Sequence, residues 1–219
     1  MARVIWCSAG PLLAVRSLLP SPMRMPRGFS FHSLSAQLRP SAVVPDWSRE
    51  RCTEWWQPSR RLLRAIRDYG TAQMRGGFVG FVCAKLAVVR HRFWSIVCGA
   101  DIPLNARGIA GGLVLPHPNG VVIHPEAKIG PNCLLFQQVT VGTGPKPGTP
   151  RLGGHVDVGA GAKILGGVVI GDHAVIGANA VVVTDVPAGG VAVGVPAVVK
   201  RRVADFFNDA PPSSPKRMV

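Results

Sequence analysis

A parallel β-helix built from six-residue repeats is the fold class this sequence predicts, and three observations predict it. Aliphatic side chains fall six apart at Ile123, Ile129, Leu135 and Val141, and again at Leu152, Val158, Ile164, Ile170, Ile176 and Val182. Two residues earlier the side chain is usually small or β-branched, as at Ala127, Cys133, Val139, Ala162 and Ala174, and glycine often follows, as at Gly130, Gly153, Gly159 and Gly171. The third observation is composition. With 26 Gly and 20 Pro, and 6% aromatic within 47% hydrophobic residues, the chain suits many short strands and tight corners. A period of six fits neither the 3.6 of a helix nor the alternation of a hairpin strand. It marks a solenoid in which each hexad is a short strand plus a corner. Three hexads close a triangular coil of 18 residues, and the inward aliphatic side chains stack from coil to coil.

Two irregularities break the period. The step from Leu115 to Ile123 is eight, which inserts two residues around Pro116-His117. The step from Val141 to Leu152 is eleven, so five extra residues bulge out in the stretch Gly142-Thr-Gly-Pro-Lys-Pro-Gly-Thr-Pro150. Interruptions of a regular scaffold are where function is expected.

The rest of the chain divides around this repeat. Residues 1–40 contain no Asp or Glu, five Arg and six Ser. That is the composition of a transit segment, but a disordered extension, or a start placed upstream of Met23 or Met25, is the preferred reading. Residues 41–99 form an α-helical segment. A helix is predicted over 46–70, with Trp55, Trp56, Leu62, Leu63, Ile66 and Tyr69 recurring at spacings near three and four. A second, apolar helix is predicted over 78–98, where Lys85, Arg90, His91 and Arg92 interrupt it too often for a membrane span. The β-helix occupies 100–202, and 203–219 read as a tail without a core.

Charge and cysteine usage narrow the function classes. The net charge of +14 sits mostly in residues 1–100, which hold 15 Lys and Arg against 4 Asp and Glu. No helix-turn-helix, zinc finger or aromatic-basic interleaving accompanies it, so nucleic acid is not the expected partner. Five widely spaced cysteines with no CxxC indicate neither a disulfide framework nor a zinc site. A reducing compartment, the cytoplasm, is expected, in preference to organelle import through residues 1–40.

Several motifs in order resemble one family. Ala100-Asp-Ile-Pro103, Leu115-Pro-His-Pro-Asn-Gly120, Gln138-Val-Thr-Val-Gly142, Val158-Gly-Ala-Gly-Ala-Lys-Ile-Leu-Gly166, Asp185-Val-Pro187 and Gly194-Val-Pro-Ala197 together resemble the serine O-acetyltransferases of the hexapeptide-repeat acyltransferase class, in a short form. The resemblance implies a left-handed β-helix, mainly β, with a short N-terminal α-helical segment. It implies a homotrimer with sites between neighbouring subunits, acetyl-CoA as co-substrate, L-serine as acceptor, a place in cysteine biosynthesis, and a possible sulfhydrylase partner.

The residues suit that chemistry. A serine hydroxyl becomes a competent nucleophile toward a thioester only as its proton is removed. His117, in the insertion and flanked by prolines, fits the general base. A carboxylate on its other nitrogen would fix its tautomer. Asp101 matches the family's carboxylate, 16 residues earlier and so close to one coil away. The backbone N–H groups of Gly142 and Gly144 can face a pantetheine arm, and Lys146 a phosphate. The family's use of small residues along a coil edge points to Ala160 and Ala178, and Lys200, with Arg201 and Arg202, suits a 3′-phosphate. The family's Arg-His pair after the bulge has no counterpart in Gly148-Thr149-Pro150, which leaves Arg151 for the substrate carboxylate beside Asp101 and His117. His155 and His173, 18 apart, are expected to stack on one corner as a solvent-facing pair, and no metal is expected. Two other readings stay open: acetyl transfer to a sugar hydroxyl in polysaccharide synthesis, and a non-catalytic scaffold or γ-carbonic-anhydrase-like metalloprotein.

Overall fold

A computed structural model describes residues 40–202, with the side chains of Arg201 and Arg202 outside the description. The expectations for the N-terminal extension and the C-terminal tail lie outside the described residues.

Among the described residues, two α-helices precede the repeat. Helix α1 spans Pro58–Arg75 and α2 spans Gly77–Cys98. The predicted start at residue 46 needs correction. Residues 41–57 hold only a 3-10 turn at Trp47–Glu50, and Trp55 and Trp56 stand exposed outside α1. Pro58 is the reason. It disfavours helical backbone at the residue before it and is itself well placed at a first helical position. Gly70 does not break α1, which runs on to Gly76; α2 ends at Gly99, whose left-handed backbone caps it.

Twelve short strands follow: β1 (Val122–Ile123), β2 (Lys128–Ile129), β3 (Leu134–Leu135), β4 (Thr140–Gly142), β5 (Arg151–Leu152), β6 (Asp157–Val158), β7 (Lys163–Leu165), β8 (Val169–Ile170), β9 (Val175–Ile176), β10 (Val181–Val182), β11 (Gly190–Val193) and β12 (Val198–Arg202). They stack into three sheets, in the orders β1-β4-β7-β10, β2-β5-β8 and β3-β6-β9-β11-β12. All pairings are parallel except β11 with β12, an antiparallel closure. Bridges from Asp101 to Val122, Ile109 to Ile129 and Val114 to Leu134 add a first coil. The register reads the hexads directly. Val122 pairs with Thr140 and Lys163 with Val181, each 18 residues on, whereas Thr140 pairs with Lys163 after 23, the five extra residues of the Gly/Pro bulge. The fold is a left-handed parallel β-helix with a short helical part before it.

The core is the column of hexad side chains. Ile123, Ile129, Leu135, Val141, Leu152, Val158, Ile164, Ile170, Ile176 and Val182 are all buried, as are the small residues two positions earlier. Cys133 occupies one of these small slots at 0% exposure, and burial pushes its thiol up to about 11. Since the thiolate is the reactive form, Cys133 is inert core.

A polar strap ties residues 41–50 to the first coils. Fully buried Asn132 donates to the carbonyls of Ser41 and Val44 and accepts from the Asp46 N–H. Asn132 sits at φ 61°, and a Cβ on neighbouring Gly112 would collide with its Oδ1, so this corner requires glycine. Glu50 accepts a forked pair of hydrogen bonds from Arg67 at 2.9 and 3.1 Å and another from the Leu113 N–H at 3.1 Å. Arg67 in turn donates to the carbonyls of Ile109 and Ala110. Every member of this partly buried network is satisfied, which is the condition for such a network to hold a structure together.

Candidate active site

The two-residue insertion becomes a clamped loop at one corner of the prism. Leu115, buried in the core, leads in. The Gly120 N–H donates to Gly99 at 2.7 Å, Val121 to Pro118 at 3.1 Å, and Gln138 to the Asn119 carbonyl at 2.9 Å. His117 is thereby held on the outside of a fixed loop, with its ring exposed. Asp101 lies at the same corner. Its N–H donates to Val121 at 2.8 Å and its carbonyl accepts from Ile123 at 3.0 Å, so it pairs with Val122, five residues after His117. The first coil is 21 residues long here, because Ile102 to Ile109 carries a seventh residue besides the two around His117. Both side chains face solvent, and among the described residues no hydrogen bond or ion pair joins them.

The same corner continues down the prism. Gly161 N–H donates to Gln137 at 2.9 Å and Asn179 N–H to Ala160 at 2.8 Å. Ala160 and Ala178 therefore stack below the His117 loop on one edge. Gln137, which the sequence did not single out, stands between the His117 loop and Ala160, and its side-chain oxygen is buried with no partner among the described residues. Only its neighbourhood marks it, since Gln137-Gln138 reads in sequence as an ordinary polar corner.

Across the face formed by β1, β4, β7 and β10 lies the Gly/Pro loop. Gly144 fits flat on β7, where a Cβ would come within 2.7 Å of Leu165 Cβ, and the Lys146 carbonyl accepts from Gly167 N–H at 3.0 Å. Lys146 does not stand free for a phosphate: its ammonium lies 3.0 Å from Asp185 Oδ1. The Val169 N–H and, after it, the Lys146 ammonium hold the Asp185 carboxyl below its ordinary 3.8. A depressed carboxyl contributes above its unfolded value and loses that contribution as pH falls through its folded one. The clasp thus holds at neutral pH and opens only in acid below the usual carboxylate range. Asp185→Ala is expected to speed amide hydrogen exchange at Gly167 near neutral pH while leaving global unfolding near wild type, because the pair is exposed.

The other sequence candidates lie elsewhere on the chain. Arg151 is exposed on β5, in register with Lys128 and Val169 on a different face from Asp101. Lys200 is exposed on β12 at the far end of the stack. His155 and His173 do share one corner: their Nδ1 atoms are 2.9 Å apart and their rings 5.0 Å between centroids, both half-buried rather than fully solvent-facing. Among the described residues no group of three or more His, Cys, Asp or Glu is placed to hold a metal ion, and no helix is long and apolar enough to cross a membrane.

Hexad coils, a clamped exposed histidine and a glycine-rich loop across one face define a hexapeptide-repeat transferase, and residues 149–184 match the bacterial transferase hexapeptide family of six repeats. A serine acetyltransferase of Helicobacter pylori is 41% identical over 133 residues, covering 54% of this chain and 77% of that protein. The chain belongs to the serine acetyltransferase family. Among solved structures, soybean serine acetyltransferase complexed with serine matches at 34% identity and a TM-score of 0.55, covering 65% of this chain and 57% of that one. A serine acetyltransferase in complex with CoA matches at 29% identity and a TM-score of 0.56, covering 67% and 58%. The chain therefore spans less than two thirds of these solved chains.

Proposed function

We infer that this protein transfers the acetyl group of acetyl-CoA to the hydroxyl of L-serine, giving O-acetyl-L-serine and CoA on the route to cysteine. The observation that carries the reading is the 41% identity to a serine acetyltransferase across most of that protein's length. His117 acts as the base. It takes the serine hydroxyl proton as the oxygen attacks the thioester carbonyl, then returns a proton to the departing thiolate as the C–S bond breaks. The C–O bond forms directly from the acceptor, so no acyl-enzyme is required. Asp101, at the same corner, orients the imidazole and stabilises its charged form. The cofactor runs down the edge past Ala160 and Ala178, with Gly142 and Gly144 beside its arm. A neighbouring subunit of a homotrimer brings Arg151 and Lys200 toward the site, which fits their placement away from His117 within one chain. Free cysteines at positions 52, 83, 98 and 133 suit a reducing cytoplasm.

The test is thiol release from acetyl-CoA with L-serine against a panel of sugars. Serine-dependent release with sugars inert is the expected result; release with a sugar and none with serine would move the acceptor to polysaccharide chemistry while leaving the fold and base unchanged.

A further inference from the structure

The outer side of the face formed by β1, β4, β7 and β10 carries a cation that the chemistry above does not use. Asp101 bridges Val122, Val122 pairs with Thr140, and Thr140 pairs with Lys163. Each of these residues precedes a buried aliphatic side chain, at Ile102, Ile123, Val141 and Ile164, so by strand alternation their own side chains point outward. Lys163 does not extend straight into solvent. It is half-buried, and its ammonium donates to the Gln138 carbonyl at 2.6 Å. Gln138 in turn donates its N–H to the Asn119 carbonyl at 2.9 Å, and Asn119 follows closely on His117. Gln138 thus stands one strand step, about 4.8 Å, below the loop that carries the imidazole, and the Lys163 ammonium is turned back toward that corner.

We propose that Lys163 binds the carboxylate of the acceptor amino acid. The inference rests on the serine reading above and names the group that recognises that acceptor. L-Serine reaches the site as a zwitterion. With its hydroxyl on His117, its carboxylate needs a donor within the reach of one small molecule. An ammonium has several N–H donors, and Gln138 takes one; the rest have no partner among the described residues. A carboxylate arriving there makes a charge-assisted pair, and the tie to Gln138 has already aimed the side chain, which lowers the ordering cost of binding. No other described cation on the coils is placed to do this within one chain. Lys128 and Arg151 pair with each other on the next sheet, and Arg107 lies past the far edge of this face, beside Ile109. Lys146 is taken by Asp185, and Lys200 is on β12 at the far end of the stack. A sugar hydroxyl brings no carboxylate, so the same ammonium would favour an amino-acid acceptor over a sugar.

Steady-state kinetics of the full-length chain with L-serine and with L-serinamide, in which a neutral amide replaces the carboxylate, make the test. In the wild type, KM for serinamide should exceed KM for serine by about ten- to a hundred-fold, the worth of a hydrogen bond to a charged group. Lys163→Met should raise KM for serine by a like factor and leave KM for serinamide and for acetyl-CoA near wild type. It should change kcat little, since the contact is made equally in the ground and transition states. A merely structural tie to Gln138 would move both acceptors alike, and that result overturns the proposal. Equal KM values for the two acceptors in the wild type overturn it as well, without any variant having to fold. A rise confined to acetyl-CoA would assign the ammonium to the cofactor, and a rise in the serine KM with Arg151→Met but not with Lys163→Met would assign the carboxylate to Arg151; either outcome overturns it. Wild-type protein that releases no thiol with serine overturns the acceptor reading itself, and this proposal with it.

Discussion

His117→Ala is expected to lower acetyl transfer by about two to four orders of magnitude, the usual contribution of a positioned base, and to leave thermal unfolding close to wild type. The separation of the two readouts follows from the loop. His117 is exposed, and the hydrogen bonds that clamp its corner come from the backbones of Gly99, Pro118, Asn119, Gly120, Val121 and Gln138. Removing the imidazole would take away the proposed proton acceptor and no bond that holds the fold. Steady-state turnover with acetyl-CoA and serine, beside a melting curve, makes the measurement. Turnover equal to wild type would falsify the assignment of the base. Asp101→Asn should cost less than the His117 change, since the proposed role of the carboxylate is to act through the imidazole, and its effect should appear in kcat rather than in the melting temperature.

The largest loss of stability is expected in the prism, not at its edge. Leu135→Ala should destabilise by about 2–5 kcal/mol, the range for a fully buried Leu whose cavity cannot collapse. Leu135 is 0% exposed and belongs to a strand of two residues, so nothing local supports the site once its packing is gone. Against a typical domain stability of about 5–15 kcal/mol, such a loss is severe. Val122→Ala, one residue before core Ile123 and 39% exposed on the outer face, should fall within about 0.5 kcal/mol of wild type. Urea unfolding of both variants with an unchanged m-value would confirm that the difference is packing.

The repeat was legible because its period is dictated by geometry. A side chain that points inward must recur once per strand-and-corner, so Ile123 through Val182 announce the core without any long-range information. The five-residue bulge and the two residues around His117 were legible for the same reason, as departures from a fixed count. The seventh residue between Ile102 and Ile109 leaves no mark in the sequence, because Pro103, Ala110 and Pro116 stand where glycine often follows the inward aliphatic residue in later coils. Periodicity alone misplaces the helix start, because Trp55 and Trp56 fall in helical phase with Leu62 and Leu63, while Pro58 decides where the helix begins. Asn132, Glu50 and Arg67 could not be found from spacing at all. Their partners lie 17 to 91 residues away, and a polar network of that span has no local signature. Lys146 shows the same limit, since its ion pair with Asp185 is made only when the bulge folds back over β7.

The coil register turns the prism into a gauge of length. Neighbouring coils lie about 4.8 Å apart, the separation of hydrogen-bonded strands, so the edge from the His117 loop through Gln137 and Ala160 to Ala178 is marked in equal steps. An elongated ligand lying along that edge would be measured in whole rungs, and its two ends could be read independently. Deleting one complete 18-residue coil below the bulge would leave every local corner intact and shorten the gauge by one step. Evolution of such a scaffold can therefore retune the reach of a site by adding or removing rungs, without redesigning the chemistry at its mouth.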